Sequence, residues 1–234
     1  MENKPKNYLN DEHLSIGTRE YLRVLNAGGR PVESLPVAEA RKVLADVQAA
    51  VEVDLSGIDE REREIVADGH ALTLHLVRPH GSRGRLPYFV FIHGGGWVLG
   101  DYPTHRRLVR DLVVESEVAA VFVDYTPSPE AKYPQAVDEI YAAVKWVAEN
   151  DAELDLDRRR MALVGNSAGG NMALAAALLA KKRHAPAVRA LVLLWPVTSA
   201  SSDWKSYALY GGERFLTAPL MKWMFDRYTT DARA

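Results

Sequence analysis

The stretch Leu-Val-Gly-Asn-Ser-Ala-Gly-Gly-Asn, residues 163–171, stands between an apolar run and an Ala/Leu-rich one. The run before it, Met161 to Val164, predicts a strand, and the residues from Ser167 to Lys182 predict a helix. Across that junction lies G-x-S-x-G, in which small residues two before and two after the serine allow a turn tight enough to project its hydroxyl into a cleft. The turn also sets Ser167 at a helix N-terminus, where free backbone N–H groups and the helix dipole favour negative charge. The pattern also occurs in ordinary turns, so its weight rests on this strand-to-helix context.

Upstream, Phe89 to Gly100 reads Phe-Val-Phe-Ile-His-Gly-Gly-Gly-Trp-Val-Leu-Gly. Ordered glycine costs more backbone entropy than any other residue, so three in succession require a geometric reason. The expected reason is an oxyanion held against bare backbone, where a Cβ would intrude. A phosphate loop is the competing explanation, but no Gly-Lys-Ser/Thr and no G-x-G-x-x-G accompanies the glycines. Both motifs fall at the C-terminal ends of predicted strands, where open α/β sheets bind ligands. A tetrahedral intermediate needs such donors, and the pair points to acyl transfer.

The rest of the chain supplies a matching scaffold. Residues 1–60 predict two polar-rich helices. The first carries Ile16, Leu22 and Leu25, and the second places Val37, Ala40, Val43, Leu44 and Val47 on one face. Glu64 to Ala67 and Ala71 to Arg78 predict a hairpin turning at Asp68-Gly69. Strands then alternate with helices: Tyr88–Ile92, Thr104–Glu117, Ala119–Asp124, Pro134–Asn150, Met161–Val164, Ser167–Lys182 and Ala190–Trp195. That order implies a mostly parallel sheet with right-handed crossovers. A last helix is expected near Pro219 to Tyr228, with Thr217 as its cap. The expected division is an N-terminal helical cap or arm, 1–60, and an α/β core, 61–234, in which 199–234 is a further cap-like helical segment.

Composition excludes other classes. The 234 residues carry a net charge of −2, from 29 basic and 31 acidic side chains without long runs, which does not suit a nucleic-acid partner. No apolar run approaches the ~18 residues of a membrane span. The absence of cysteine removes disulfides, thiolate nucleophiles and cysteine zinc sites. The polar first residues contain no secretory h-region, so the expected compartment is the cytoplasm.

Taken together, His93-Gly-Gly-Gly-Trp97 and Gly165-Asn166-Ser167-Ala168-Gly169-Gly170 resemble the motifs of the hormone-sensitive-lipase-like carboxylesterases of the α/β-hydrolase superfamily. Asp124-Tyr125-Thr-Pro-Ser-Pro-Glu130 and Tyr133-Pro134-Gln-Ala-Val-Asp138 resemble the segment between them. The resemblance implies an α/β-hydrolase fold with an N-terminal helical cap, Ser167 as nucleophile, and an oxyanion hole built from backbone N–H groups in Gly94, Gly95, Gly96 and Ala168. It implies carboxylic esters of short to medium acyl chains as substrates and no cofactor. Family members often carry Asp where this chain has Asn166.

Such a serine needs a base held by an acid, in the chain order Ser, Asp or Glu, His. The histidine that follows Ser167 is His184, and about 15 helical residues at about 1.5 Å each would separate the two by about 22 Å. It is expected as a C-terminal cap. His93 is expected to hold the shape of its loop, and His105 could lie near the cleft. His70, His75 and His80 do not fit one metal site. Asp203, Asp226 and Asp231 follow the serine outside the family's acid motif. The chain is therefore expected to stop before the triad acid and base and the family's last strands and helix, either truncated or natively short. On that expectation activity is very low, and residues 190–195 form an apolar edge that takes further strands of the polypeptide, a strand-pairing partner or a second copy. A catalytically inactive small-molecule binding protein on the same fold is the alternative. The aromatic residues Trp97, Tyr102, Trp204, Tyr207, Phe215 and Trp223 are candidates for an acyl pocket.

Overall fold

The computed structural model describes residues 7–230. Asp231 and the first six residues, on which the targeting expectation rests, lie outside them. The N-terminal part holds two helices, α1 (Ile16–Leu25) and α2 (Val37–Ala49). Ser15 caps α1 by accepting the Thr18 amide at 3.0 Å. Leu22 of α1 and Ala40 of α2 are buried, whereas Val43 and Val47 point outward at 39% and 46% exposure. The expected single apolar face of α2 is therefore narrower than its sequence suggests. Only the side bearing Val37, Ala40 and Leu44 meets the body of the protein.

A hairpin follows, β1 (Ile58–Ala67) and β2 (His70–Pro79), closed by Asp68 and Gly69 with φ of 46° and 87°. Positive φ at both turn positions matches the right-handed twist of the paired strands. Next come β3 (Leu86–Ile92), α3 (Tyr102–Ser116), β4 (Ala119–Asp124), α4 (Gln135–Glu149), β5 (Leu156–Asn166), α5 (Ala168–Arg183) and β6 (Ala190–Leu194). The sheet order is β1-β2-β4-β3-β5-β6. β1, β2 and β4 pair antiparallel, and β4, β3, β5 and β6 run parallel.

Burial fixes which strand lies at the centre. In β3 the residues Val90, Phe91 and Ile92 are fully enclosed, each stabilising the fold by about 1.5–3 kcal/mol. The central strands thus hold the backbone rigid where β3 and β5 end side by side, with Ile92 opposite Gly165. β5 begins five residues earlier than the sequence suggests because Leu156 pairs with Leu86 across a bulge. Among the described residues β6 forms one edge of the sheet, opposite β1, with Leu191 and Val192 at 39% and 43% exposure.

Beyond β6 lie α6 (Lys205–Tyr210), which the sequence reading did not anticipate, and α7 (Ala218–Tyr228). Thr217 caps α7, accepting the Leu220 amide at 3.2 Å. The end of α7 is pinned to the core by the Tyr133 amide, which donates to the Tyr228 carbonyl at 2.8 Å.

Candidate active site

Ser167 sits at the turn from β5 into α5 with φ 54° and ψ −123°, a region a side chain rarely adopts. The glycines at 165 and 169 make the turn possible. A Cβ on Gly165 would stand 2.4 Å from the Gly169 carbonyl oxygen, and one on Gly169 would stand 2.1 Å from that of Ile92. The first turn of α5 is thereby pressed against the end of β3. The elbow is tied to β6 by the Ser167 amide on the Leu194 carbonyl at 2.9 Å, and the Ser167 carbonyl accepts the Val197 amide at 3.2 Å. Ser167 is partly exposed, and its hydroxyl has no hydrogen-bond partner among the described residues.

The loop after β3 lies directly beside it. A Cβ on Gly94 would come within 3.1 Å of Ser167 Cβ and 2.7 Å of the Asn166 carbonyl oxygen. Gly95, with φ 113°, leaves no room for a side chain because the Leu99 carbonyl oxygen would be 2.0 Å away. Gly96, with φ 62°, is covered by Met224 of α7. Close approach of a substrate oxygen is the expected reason for these glycines, and the fold supplies a second one. At each of the three a protein atom stands within 2.7 Å of where a Cβ would lie.

The loop's hydrogen bonds sort its amides. Gly94 N–H donates to Asn166 Oδ1 at 2.9 Å, so this amide, expected as an oxyanion donor, is already committed. Val98 and Leu99 N–H both donate to the Gly95 carbonyl, at 3.2 and 2.8 Å. The amides of Gly95 and Gly96 have no acceptor among the described residues. Ala168 occupies the first position of α5, where an N–H has no intrahelical partner.

His93 holds the loop's shape, as expected: its Nδ1 donates to the Gly94 carbonyl at 2.7 Å. Its ring is stacked between Phe122 and Tyr125, with centroids 5.4 and 4.3 Å away. The Tyr125 hydroxyl donates to the His93 carbonyl at 3.0 Å. Complete burial pushes the imidazole down to about 3, with His105 adding to the effect, so the ring is neutral at neutral pH. His105, from the first turn of α3, approaches Asn166 Nδ2 through Nε2 at 3.4 Å, and burial lowers its pKa as well. Arg41 of α2 grips the loop from another side, donating to the Val98 carbonyl at 2.8 Å and the Ser128 carbonyl at 3.0 Å while pairing with Glu130.

A cleft of about 310 Å³ is bounded by Trp97, Asn171, Ala175, Val197, Phe225 and Tyr228 among others; Ser167 does not line it, but Asn171 and Val197 both donate their amides to the Ser167 carbonyl. Of the six expected aromatic residues only Trp97 lines it, stacked on Tyr228 at 4.4 Å. Tyr102 packs under His75 on the β2 side, Trp223 is buried in α7, Trp204 and Phe215 are exposed, and Tyr207 lies outside the cleft. Phe225 and Tyr228 went unrecognised because their spacing on α7 reads as ordinary core.

The remaining expectations fall outside this point. His184 caps α5 at its far end in a left-handed conformation, φ 56°. His75 pairs with Asp124 at 2.7 Å and His80 with Asp59 at 2.8 Å. Asp203 is exposed in the loop before α6, and Asp226 pairs with Lys222 on the surface of α7. Among the described residues no histidine, aspartate or glutamate contacts the Ser167 hydroxyl, no group of side chains suits a metal ion, and no helix is long and apolar enough to cross a membrane.

Known proteins resemble this chain in sequence and fold. The chain is 33% identical over 204 residues to an alpha/beta hydrolase of Acanthamoeba polyphaga mimivirus, matching 86% of this chain and 57% of that protein. It is 31% identical to the ethyl acetate hydrolase of Pseudomonas putida, over 90% of this chain and 69% of the relative. The crystal structure of a thermostable esterase from Pseudomonas putida superposes with a TM-score of 0.93 at 51% identity, covering 95% of this chain and 70% of the esterase. The chain thus spans little more than half to about two thirds of the length of these proteins. The profile of the alpha/beta hydrolase fold matches residues 89–234, from β3 through both motifs. With the strand order, the elbow and the glycine loop, these matches place the chain in the hormone-sensitive-lipase-like carboxylesterase family of the α/β hydrolases.

Proposed function

We propose that this chain carries the nucleophile and oxyanion hole of a serine carboxylester hydrolase for short to medium acyl esters. The observation that carries the reading is the meeting of two distant motifs at one point, where a Cβ on Gly94 would come within 2.7 Å of the Asn166 carbonyl oxygen and 3.1 Å of Ser167 Cβ. Ser167 Oγ attacks the ester carbonyl, and the negative charge that develops on the carbonyl oxygen is received by the amides of Gly95, Gly96 and Ala168. Gly94 serves the loop and not the oxyanion. The alcohol leaves with the proton released by Ser167, and water then hydrolyses the acyl-enzyme. At about 310 Å³ the adjoining cleft lies at the small end of ligand pockets, which supports a modest acyl group.

The base and its acid are not among the described residues that reach Ser167. We infer that they come with additional strands laid on the β6 edge, supplied by further polypeptide or by another chain. On this reading residues 7–57 act as a cap or arm, and 199–230 act as a second cap-like segment. With the 234 residues alone, turnover is expected about a million-fold below that of a complete triad.

The test is p-nitrophenyl butyrate turnover, with mass spectrometry of the protein after exposure to an alkyl phosphonate. Release and labelling that disappear in Ser167→Ala support the enzyme. The unpartnered Ser167 hydroxyl favours a second reading, a small-molecule binder without turnover. Ligand binding in the cleft without labelling of Ser167 would establish it.

A further inference from the structure

Asn166 is the last residue of β5 and touches two elements at once. Its side-chain amide bonds Gly94 N–H at 2.9 Å on one side and stands 3.4 Å from His105 Nε2 on the other. A backbone N–H only donates, so the Asn166 oxygen must face Gly94 and its NH₂ must face the imidazole. An NH₂ group in turn only donates, so Nε2 must be bare. The ring proton then resides on Nδ1, where Thr104 Oγ1 at 3.0 Å and the Asp101 carbonyl at 3.3 Å are available to accept it. One obligate donor at the start of the chain of contacts thus fixes every orientation after it.

We propose that Asn166 is a positioning residue that holds the oxyanion loop through Gly94, and that its own orientation is dictated by an unprotonated Nε2 on His105. The inference rests on the esterase reading for its catalytic consequence, and on the contacts alone for its structural one.

The surroundings of His105 keep that nitrogen bare. His93, neutral and fully buried after β3, lies with its ring 5.3 Å away, and Phe91 of β3 and Phe122 of β4 cover the ring at 6.2 and 6.5 Å. Asp101, at the cap of α3, is the charged residue that faces it, and it presents its backbone carbonyl. Gly100 closes the remaining side, where a Cβ would come within 3.2 Å of His105 Cε1. Burial lowers the pKa of His105 and favours the neutral ring. Protonation would set an Nε2–H against the Asn166 NH₂, two donors facing one another, and Asn166 could then keep Gly94 only by giving up His105.

The experiment uses the protein labelled with ¹⁵N-histidine. Long-range ¹H–¹⁵N spectra at pH 7.5 should show His105 protonated at Nδ1 and bare at Nε2. In Asn166→Asp both side-chain oxygens accept, so Nε2 should gain a proton, by tautomer exchange or by formation of imidazolium. The Gly94 amide should remain protected. In Asn166→Leu the exchange of the Gly94 amide should accelerate about fivefold, the net value of one hydrogen bond. Ser167 acylation should fall about a hundredfold in rate constant with KM little changed, as for a displaced oxyanion donor, and Asn166→Asp should recover most of it. A proton on Nε2 in the wild type, or unaltered Gly94 exchange in Asn166→Leu, would overturn the proposal. Absence of acylation in the wild type would follow from the missing base as readily as from a wrong esterase reading, and leaves the spectra and exchange rates to decide this proposal.

Discussion

Replacing Gly95 by alanine tests whether the glycine loop is set by its own backbone geometry. At φ 113° an L-residue is strained, at about 1–3 kcal/mol. The new Cβ would also lie 2.0 Å from the Leu99 carbonyl oxygen and 2.6 Å from its carbon, both backbone atoms that no side-chain rotation can move. Relief requires the turn to open, which weakens the hydrogen bonds from Val98 and Leu99 to the Gly95 carbonyl, each worth about 1 kcal/mol. The sum is about 3–5 kcal/mol. If even 3 kcal/mol reaches the global equilibrium, a domain of this size loses about 6–12 °C in Tm. Since the displaced amides include those assigned to the oxyanion, the p-nitrophenolate burst from p-nitrophenyl butyrate should slow by about 10² to 10³. Gly212→Ala is the control, because no atom lies within 4 Å of a Cβ there and its φ is not positive. A Gly95→Ala protein with normal Tm and a normal burst would refute the packing argument. A lowered Tm with a normal burst would refute the oxyanion assignment alone.

Other consequences can be checked with the same material. Arg41→Ala leaves the carbonyls of Val98 and Ser128 without their donor and should cost about 1–3 kcal/mol, or several degrees in Tm, with the burst slowed because Val98 belongs to the loop. Because His93 is lowered to about 3 while an unfolded histidine titrates near 6.5, the unfolded state binds the extra proton between those values. Stability must therefore fall as pH drops through this window, by about 2 kcal/mol at pH 5 from His93 alone, and urea melts in which His93→Gln keeps the full slope would contradict this assignment. Ser167→Gly should raise stability by about 1 kcal/mol by relieving φ 54° while abolishing phosphonate labelling, and a fall in Tm would mean that the elbow is not strained.

The sequence displayed the framework well where one physical effect dominates. Ala119–Asp124 falls within its expected bounds because an unbroken apolar run has only one place to go, the sheet interior. Thr217 was legible as a cap because its side chain acts on the amide three residues ahead. The elbow and the glycine loop were legible as motifs for the same reason, each being a local rule of backbone sterics. The supports were not. Met224 over Gly96, Arg41 on Val98 and Phe225 at the cleft join residues remote in sequence, and nothing in a methionine, an arginine or a phenylalanine on an amphipathic helix announces its partner. The partner of the Gly94 amide was not legible for a related reason. The commitment of that amide to Asn166 depends on a side-chain orientation that the motif leaves free.

These supports make the glycine loop a junction and not an appendage. Asn166 and His93 hold it to the sheet, Arg41 ties it to α2, and Met224 and Tyr228 press α7 onto Gly96 and Trp97. Phe225 and Tyr228 also line the cleft, so the helix that would feel an acyl chain is the one that backs the amides proposed to receive its carbonyl oxygen. A ligand that shifts α7 must therefore shift Gly96. Preorganised donors stabilise a transition state only if they need not move during the reaction, so on the proposed reading an acyl group that fits the cleft would leave them in place, and one too large for about 310 Å³ would displace them. On the proposed esterase reading, acyl-chain selectivity would belong to the rate constant more than to binding. Lengthening the acyl chain beyond the cleft should lower the acylation rate while KM stays level, and truncating Phe225 to alanine should move that break to longer chains. A break that appears in KM alone would separate the cleft from the loop and dissolve the coupling.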